Sequence, residues 1–332
     1  MKKNIYLLIA CAGMLTSSCR DTNKKDDNVI SQRFEHKYNY PISEEEWATG
    51  KYPGTVTTVM RNGVTIIAHY DGGVLHGVST HTYPHSPTIE ACYVYDNGKL
   101  VKETLYDVKS IPLSETIQLS PTRYSQTIWF ADGSPQSIEE YVGEELLEGQ
   151  YFNTHNETES RVEKGAGLRV RRDREGTLLC RDLVEHGYMT KRENFYPAGN
   201  PESIAYYDKN KLHGEQLTFA ANGEPLSTAE WIHGQLHGKC TFYKNGAKHL
   251  EVSYLNDQKN GLECHFKEGK VVQETLWENN KRHGETVYYI QNGEKYTEYY
   301  YDGKKVSYEK FKEMNHMDEL VSGISSEHQI YQ

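Results

Sequence analysis

The histidines are the side chains of this sequence best suited to acid–base or metal chemistry, and their spacing argues against both. His213, His237 and His283 each stand directly before a glycine (Gly214, Gly238, Gly284), and Asn260 precedes Gly261 in the same way. These glycines are 24, 23 and 23 residues apart, so the histidines recur at one structural position, as the residues of a repeated turn do. Equivalent sites in neighbouring hairpins lie about two strand spacings, roughly 10 Å, apart. A cation holding each donor at about 2 Å cannot bridge that gap. His233 with His237, and His81 with His85, are closer, but neither pair has a third ligand at a recognisable spacing. No Gly-x-Ser-x-Gly, His-Glu-x-x-His or P-loop pattern occurs. The expectation is no catalytic residue, no metal and no cofactor; a hydrolase with two unmarked carboxylates, as in a glycosidase, is the form of enzyme a sequence can conceal.

The start of the chain reads as an export signal over residues 1–18. Lys2 and Lys3 are followed by an apolar run from Ile5 to Leu15 and by Thr16, Ser17 and Ser18, which lead to Cys19. The run falls short of the roughly 20 residues that span a bilayer. A cysteine directly after the small residues resembles the lipobox of bacterial lipoproteins, with Leu15 four positions before it rather than the usual three. That resemblance implies lipidation at Cys19, hence a membrane partner through the lipid anchor and a place in the bacterial cell envelope, at the outer membrane. Cys11 and an ordinary signal peptide with an incidental cysteine are the alternatives. The polar run after Cys19 cannot bury enough apolar surface to offset its ordering entropy, so residues 19–43 read as a flexible tether. Four further cysteines (Cys92, Cys180, Cys240 and Cys264) are expected as buried free thiols, because Cys240 lies two residues past its glycine and Cys264 three, on opposite strand faces.

The elements that would carry these residues are β-strands. The chain has 26 Tyr and 27 Gly but 10 Pro, which favours strands and turns. Its net charge of −10 argues against nucleic acid as a partner, since phosphate binding needs clustered basic charge. The one basic cluster, Arg169, Arg171, Arg172 and Arg174, reads as the solvated face of a strand.

A repeat organises residues 199–308. Five residues after each of the four glycines comes an aromatic: Phe219, Tyr243, Phe266 and Tyr289. A second glycine follows at Gly223, Gly246, Gly269 and Gly293, and eight residues later a second aromatic at Trp231, Tyr254, Trp277 and Tyr301. Asn222-Gly223, Asn245-Gly246 and Asn292-Gly293 are hairpin signals. Period-two alternation gives an aromatic face, with Glu251, Glu274 and Glu298 turned to water on the other. Gly199 with Tyr207 opens the regular block, and residues 44–198 carry degenerate units: Gly133 with Tyr141, Gly98 with Tyr106, and His76-Gly77 seven after Tyr70. Over residues 107–190 the register is open, and longer loops or degenerate units are expected there. Glu309–Met314 has helix-forming composition and is expected to cap the open sheet edge within a cap and tail over residues 309–332. The predicted fold class is all-β, an elongated single-layer antiparallel sheet of tandem β-hairpins.

Trp277–Glu285 and Tyr207–Glu215 (WENNKRHGE and YDKNKLHGE) resemble the MORN repeat in its bacterial variant form. Asn279 and Asp208, then Thr286 and Gln216, stand where the eukaryotic form has glycine. The resemblance implies hairpin repeats acting as a non-enzymatic scaffold toward an envelope protein or a surface polymer. A carbohydrate- or peptidoglycan-binding module, with exposed tryptophans as its contacts, is the alternative; an antitoxin-like protein fits an exported chain less well, and a hydrolase shows no recognisable motif.

Overall fold

The computed structural model describes residues 28–290 and 293–317. The leader, Cys19, the first part of the polar run, Asn292 and residues 318–332 lie outside the described residues. Strand makes up 66% of the structure and helix 6%, in antiparallel, open, single-layer sheet built from consecutive hairpins, so the chain is all-β. It divides after Lys99 into two compact units. No helix among the described residues is long and apolar enough to cross a membrane.

The first unit starts earlier than its polar composition suggests, and the expected tether is corrected from Val29 onward. Val29–His36 is a strand paired along Gly54–Met60, and Pro41–Ile42 pairs with its end. The reason is Phe34, which lies opposite both Val56 and Ile42 and meets the Trp47 ring at 5.6 Å. Trp47 belongs to a helix, Glu44–Gly50, that the sequence reading did not anticipate. A capping box starts it, with the Ser43 hydroxyl accepting from the Glu46 backbone N–H and the Glu46 carboxylate accepting from that of Ser43. Trp47 also meets Tyr70 edge-on at 5.8 Å, so the helix covers one face of the meander. Phe34, Val56, Ala68, Ser79 and Tyr93 form a continuous row across that sheet.

In the second unit the register left open over residues 107–190 is that of paired strands, so of the two alternatives, longer loops or degenerate units, hairpin units occupy the stretch. Pro112–Gln118 pairs with Arg123–Trp129, Glu145–Phe152 with Thr158–Glu163, and Ala166–Arg172 with Leu178–Glu185. The connections through this stretch use Ser110, Asn156 and Lys164 in the left-handed region (φ 62°, 58° and 52°), which no Asn-Gly dipeptide announces.

From residue 201 on, the repeat has a regular geometry. Two-residue turns with both φ values positive join the strands at Lys209-Asn210, His233-Gly234, Asn256-Asp257, Asn279-Asn280 and Asp302-Gly303. This primed turn matches the twist of the flanking strands. The second residue of each later turn donates its N–H to the preceding hairpin: Gly234 to Leu212 O at 2.7 Å, Asp257 to Leu236 O at 3.0 Å, Asn280 to Lys259 O at 3.0 Å and Gly303 to Arg282 O at 2.9 Å. Carboxylate and amide oxygens return the contact, Asp257 Oδ1 accepting from Leu236 N and Asn280 Oδ1 from Lys259 N, both at 2.8 Å.

Gly214, Gly238, Gly261 and Gly284, expected in turns, instead lie within or at the start of strands a few residues after the real turns. Each has a strongly positive φ, from 94° to 107°. They are bulges. Thr275 pairs with Thr286 and Trp277 with Arg282, so Leu276 alone opposes His283, Gly284 and Glu285. At Gly284 the φ is 107°, and an added Cβ would lie 3.0 Å from Leu276 Cδ1. Glycine alone meets both conditions. The same bulge recurs in the first unit at His76-Gly77.

At the C-terminal edge, residues 308–317 are helical. Tyr308 and Phe311 pack on Tyr299 at ring distances of 5.0 and 5.5 Å, next to the last strand, Lys304–Val306. No disulfide joins Cys92, Cys180, Cys240 and Cys264, and the last three are buried.

Candidate functional site

The second aromatics of the repeat do form a ladder, and cations fill its gaps. Each aromatic lies opposite a bulge glycine on one side and the first residues after a turn on the other: Trp231 between Gly214 and Leu236, Tyr254 between Gly238 and Lys259, Trp277 between Gly261 and Arg282. The Lys259 ammonium sits 4.5 Å from the Trp277 ring centroid. The Arg282 guanidinium lies 5.8 Å from Trp277 and 5.2 Å from Tyr300. Cations over aromatic faces interact favourably, and their aliphatic stems cover apolar surface that a single-layer sheet would leave wet. Trp231 donates from Nε1 to Gln216 Oε1 at 3.0 Å, whereas Trp277 Nε1 is buried without a partner. Both tryptophans are half-buried.

Two details of the expected ladder are corrected by register. Tyr300, not Tyr301, lies opposite Gly284, and Tyr301 packs on His283 at 4.8 Å instead. The three preceding hairpins each carry a one-residue irregularity just past their turn, and the last hairpin carries none. A slip of one residue exchanges the faces of a strand. The charged residues also divide. Glu251 and Glu274 share a face with Cys264, while Glu298 lies opposite Thr286 and Glu263 opposite Val252 and Thr275, all on the ladder face. Neither face is purely aromatic or purely charged.

Followed upstream by register, the ladder face carries Gln216, Ala205, Arg192, Asp182 and Arg169 in one row. Here sits the strongest electrostatic arrangement among the described residues. Arg169, expected on a solvated face, is 19% exposed at its side chain, and Glu139 is 5% exposed. Arg169 Nε donates to Glu139 Oε1 at 2.6 Å and Nη2 to Oε2 at 2.8 Å. Tyr151 donates its hydroxyl to Oε1 at 2.9 Å and Tyr141 to Oε2 at 2.7 Å. Asp182, 0% exposed, accepts two hydrogen bonds from Arg192 at 2.7 and 2.8 Å and lies 3.9 Å from Arg169. Burial pushes the Glu139 carboxyl up, but the Arg169 charge and the hydrogen bonds of Arg169, Tyr141 and Tyr151 together hold it below the usual carboxylate range. Burial and the neighbouring Glu139 charge raise the Tyr141 and Tyr151 phenols. A carboxylate saturated by four donors and held ionised has no proton to give at neutral pH. A shallow cleft of about 280 Å³ beside it is lined by Gln126, Gln136, Arg171 and Cys180.

The bulge histidines do structural work in most repeats. His76 Nδ1 accepts from Asn97 N at 3.3 Å, and His283 Nδ1 from Asp302 N at 3.4 Å, in each case from the first residue of the next turn. His237 Nδ1 lies 3.4 Å from Asn256 Oδ1. His213 is different. Its Nδ1 is buried with no partner, a situation that costs about 1–3 kcal/mol. Its ring lies 5.1 Å from that of His233, and Asp208, His213 and His233 bring one ligand atom each to within 4.8 Å of one another. The strand-spacing argument holds for equivalent positions, but His213 occupies a bulge and His233 the following turn. Sequence reasoning therefore missed this cluster, although the step from His213 to His233 is one turn-to-bulge distance and could have been read. The Glu139–Arg169 pair, 30 residues apart with two strands between, left no such signal.

Cys19 lies outside the described residues. No protein family matches the chain, and no curated protein matches it. Among solved structures, two chains titled "Crystal Structure of TcdB2-TccC3-Cdc42" and "Crystal Structure of TcdB2-TccC3 without hypervariable C-terminal region" are similar at 10% identity each, with TM-scores of 0.16 and 0.18. The matches cover 74% and 81% of this chain but 19% and 18% of those chains, so it spans about a fifth of their length. Likeness at that level carries no argument about function.

Proposed function

We propose that this chain is a non-enzymatic binding scaffold of the bacterial cell envelope, built from MORN-like hairpin repeats and fastened to the outer membrane by lipid on Cys19. The observation that carries the reading is the surface of the sheet. On the face opposite the ladder, aliphatic side chains pair across strands and stay in water: Leu168 with Leu183, both 39% exposed, and Leu262 with Leu276, 39% and 40% exposed. Exposed apolar pairs repeated along a sheet suit contact with a protein partner. The carbohydrate-binding reading is the weaker one, because the faces of Trp231 and Trp277 are half-buried and Trp277 is covered by Lys259 and Arg282.

The test is crosslinking in intact cells, followed by identification of what the chain captures. Leu262→Asp with Leu276→Asp is expected to abolish capture of an envelope protein while leaving the far-ultraviolet spectrum unchanged. Cys19→Ala is expected to release the chain from the membrane fraction. Capture that persists in the double variant, or a Cys19→Ala protein still anchored, counts against the scaffold and the anchor respectively.

A further inference from the structure

The two-residue turns of the array carry Asn256, Asn279 and Asp302 at their first position, each with φ near 50°. One repeat earlier the same position holds His233, also at φ 50°. His233 stands over the bulge residue His213, at 5.1 Å between ring centroids, with Asp208 completing a set of donors within 4.8 Å. In the repeats of His76 and His283 the bulge nitrogen accepts a backbone N–H from the next turn, whereas His213 Nδ1 is buried and unpartnered. The substitution of histidine into the turn and the orphaned nitrogen beside it thus fall in the same repeat.

We propose that Asp208, His213 and His233 form a binding site for a divalent transition cation of the zinc class. Two imidazoles and one carboxylate are a nitrogen–oxygen donor set that suits zinc, leaving a fourth position for water. Tetrahedral bonds of about 2.0–2.1 Å place donors roughly 3.3 Å apart, so donors already within 4.8 Å need only side-chain rotation. The backbone beneath is fixed: Asp208 pairs with Lys211 across the turn, and Gly234 N donates to Leu212 O at 2.7 Å. Asp208 and His213 belong to the hairpin Pro201–Asp208 and Lys211–Phe219, and His233 to the turn of the next. The cation would therefore fasten successive hairpins. Because the three donors converge only in the folded chain, binding raises its stability.

Zinc chloride titrated into the metal-stripped full chain against a chromophoric chelator is expected to show one tight equivalent and a rise in melting temperature. X-ray absorption at the zinc edge should show nitrogen and oxygen neighbours with the scattering of two imidazoles. His233→Asn installs the residue found at positions 256 and 279, so its metal-free melt should match the parent. Its zinc affinity should fall by at least the roughly 10–100-fold lost with an outer-shell partner. Asp208→Asn should weaken binding in the same direction, and His283→Asn should leave it unchanged. A parent chain that takes up no zinc at micromolar concentration, or a His233→Asn chain that binds zinc as the parent does, overturns the assignment.

Discussion

The array over residues 201–306 and the stretch over residues 112–195 cover the same face of the same kind of sheet by opposite means. In the array, the central row is Cys240, Val252, Glu263, Thr275 and Thr286, with Thr275 and Thr286 at 0% exposure. Aromatics and long cations one row away lean over it, each touching its immediate neighbours. In the earlier stretch the row is Arg169, Asp182 and Arg192, and Arg169 reaches past two strands to Glu139. A single-layer sheet has no second layer to bury its face, so side chains must supply the cover. The array spreads that cover over nearest neighbours, and the earlier stretch concentrates it in one guanidinium. Damage should therefore stay local in the first and spread in the second.

Removing Arg169 should have the largest effect. Arg169→Met leaves Glu139 and Asp182 buried with partners missing, and the expected cost is about 3–5 kcal/mol. Denaturant melts with hydrogen exchange should show protection lost from Pro135–Val142 through Leu178–Glu185 together. Loss confined to Ala166–Arg172 would erase the contrast between the regions. The same network has a pH signature. The Glu139 carboxyl titrates below its unfolded value of about 4.3, so it contributes stability above that value and loses it as pH falls through the folded pKa. As pH falls below about 4.3, exchange protection should fall more in Pro135–Val142 than in Lys270–Glu278, where Glu274 meets a hydroxyl and Glu278 an imidazole rather than a buried guanidinium.

Trp277→Ala comes next, at about 2–3 kcal/mol, below the 3–5 typical of fully buried aromatics because the ring is half-buried. Protection should drop in Gln258–Lys267 and Lys281–Tyr289 and recover within one further hairpin. An undiminished melt combined with loss of a bound partner would make the ladder a contact surface instead. Gly284→Ala should cost about 2 kcal/mol, from backbone strain at φ 107° and the close approach to Leu276; a crystal structure or exchange map should place the change at the bulge. His283→Ala is the mildest, at about 1 kcal/mol for one lost acceptor to Asp302 N, with the sheet spectrum intact. A larger loss at His283 than at Trp277 would reverse the roles assigned to bulge and ladder.

Class and period were legible because their causes are local. The glycine spacing and the aromatic steps repeat with the hairpins, although those glycines mark bulges, and the Asn-Gly at 245–246 forms the turn its chemistry announces. Ser43 and Glu46 carried a readable helix start that composition obscured. Which face each residue occupies was decided only by tertiary structure. Side chains alternate with a period of two, so a one-residue irregularity, such as Val271 opposite Phe266 next to Gln273 opposite His265, changes parity for everything beyond it, and the last hairpin has none. That is why Tyr300 rather than Tyr301 completes the ladder and why Glu298 joins it. Arg169 with Glu139, and His213 with His233, meet across strands or hairpins that are distant in sequence. Repetition along the chain announces the unit; the partner a side chain meets depends on how far the stacked units curl and slip, which is a property of the assembled sheet.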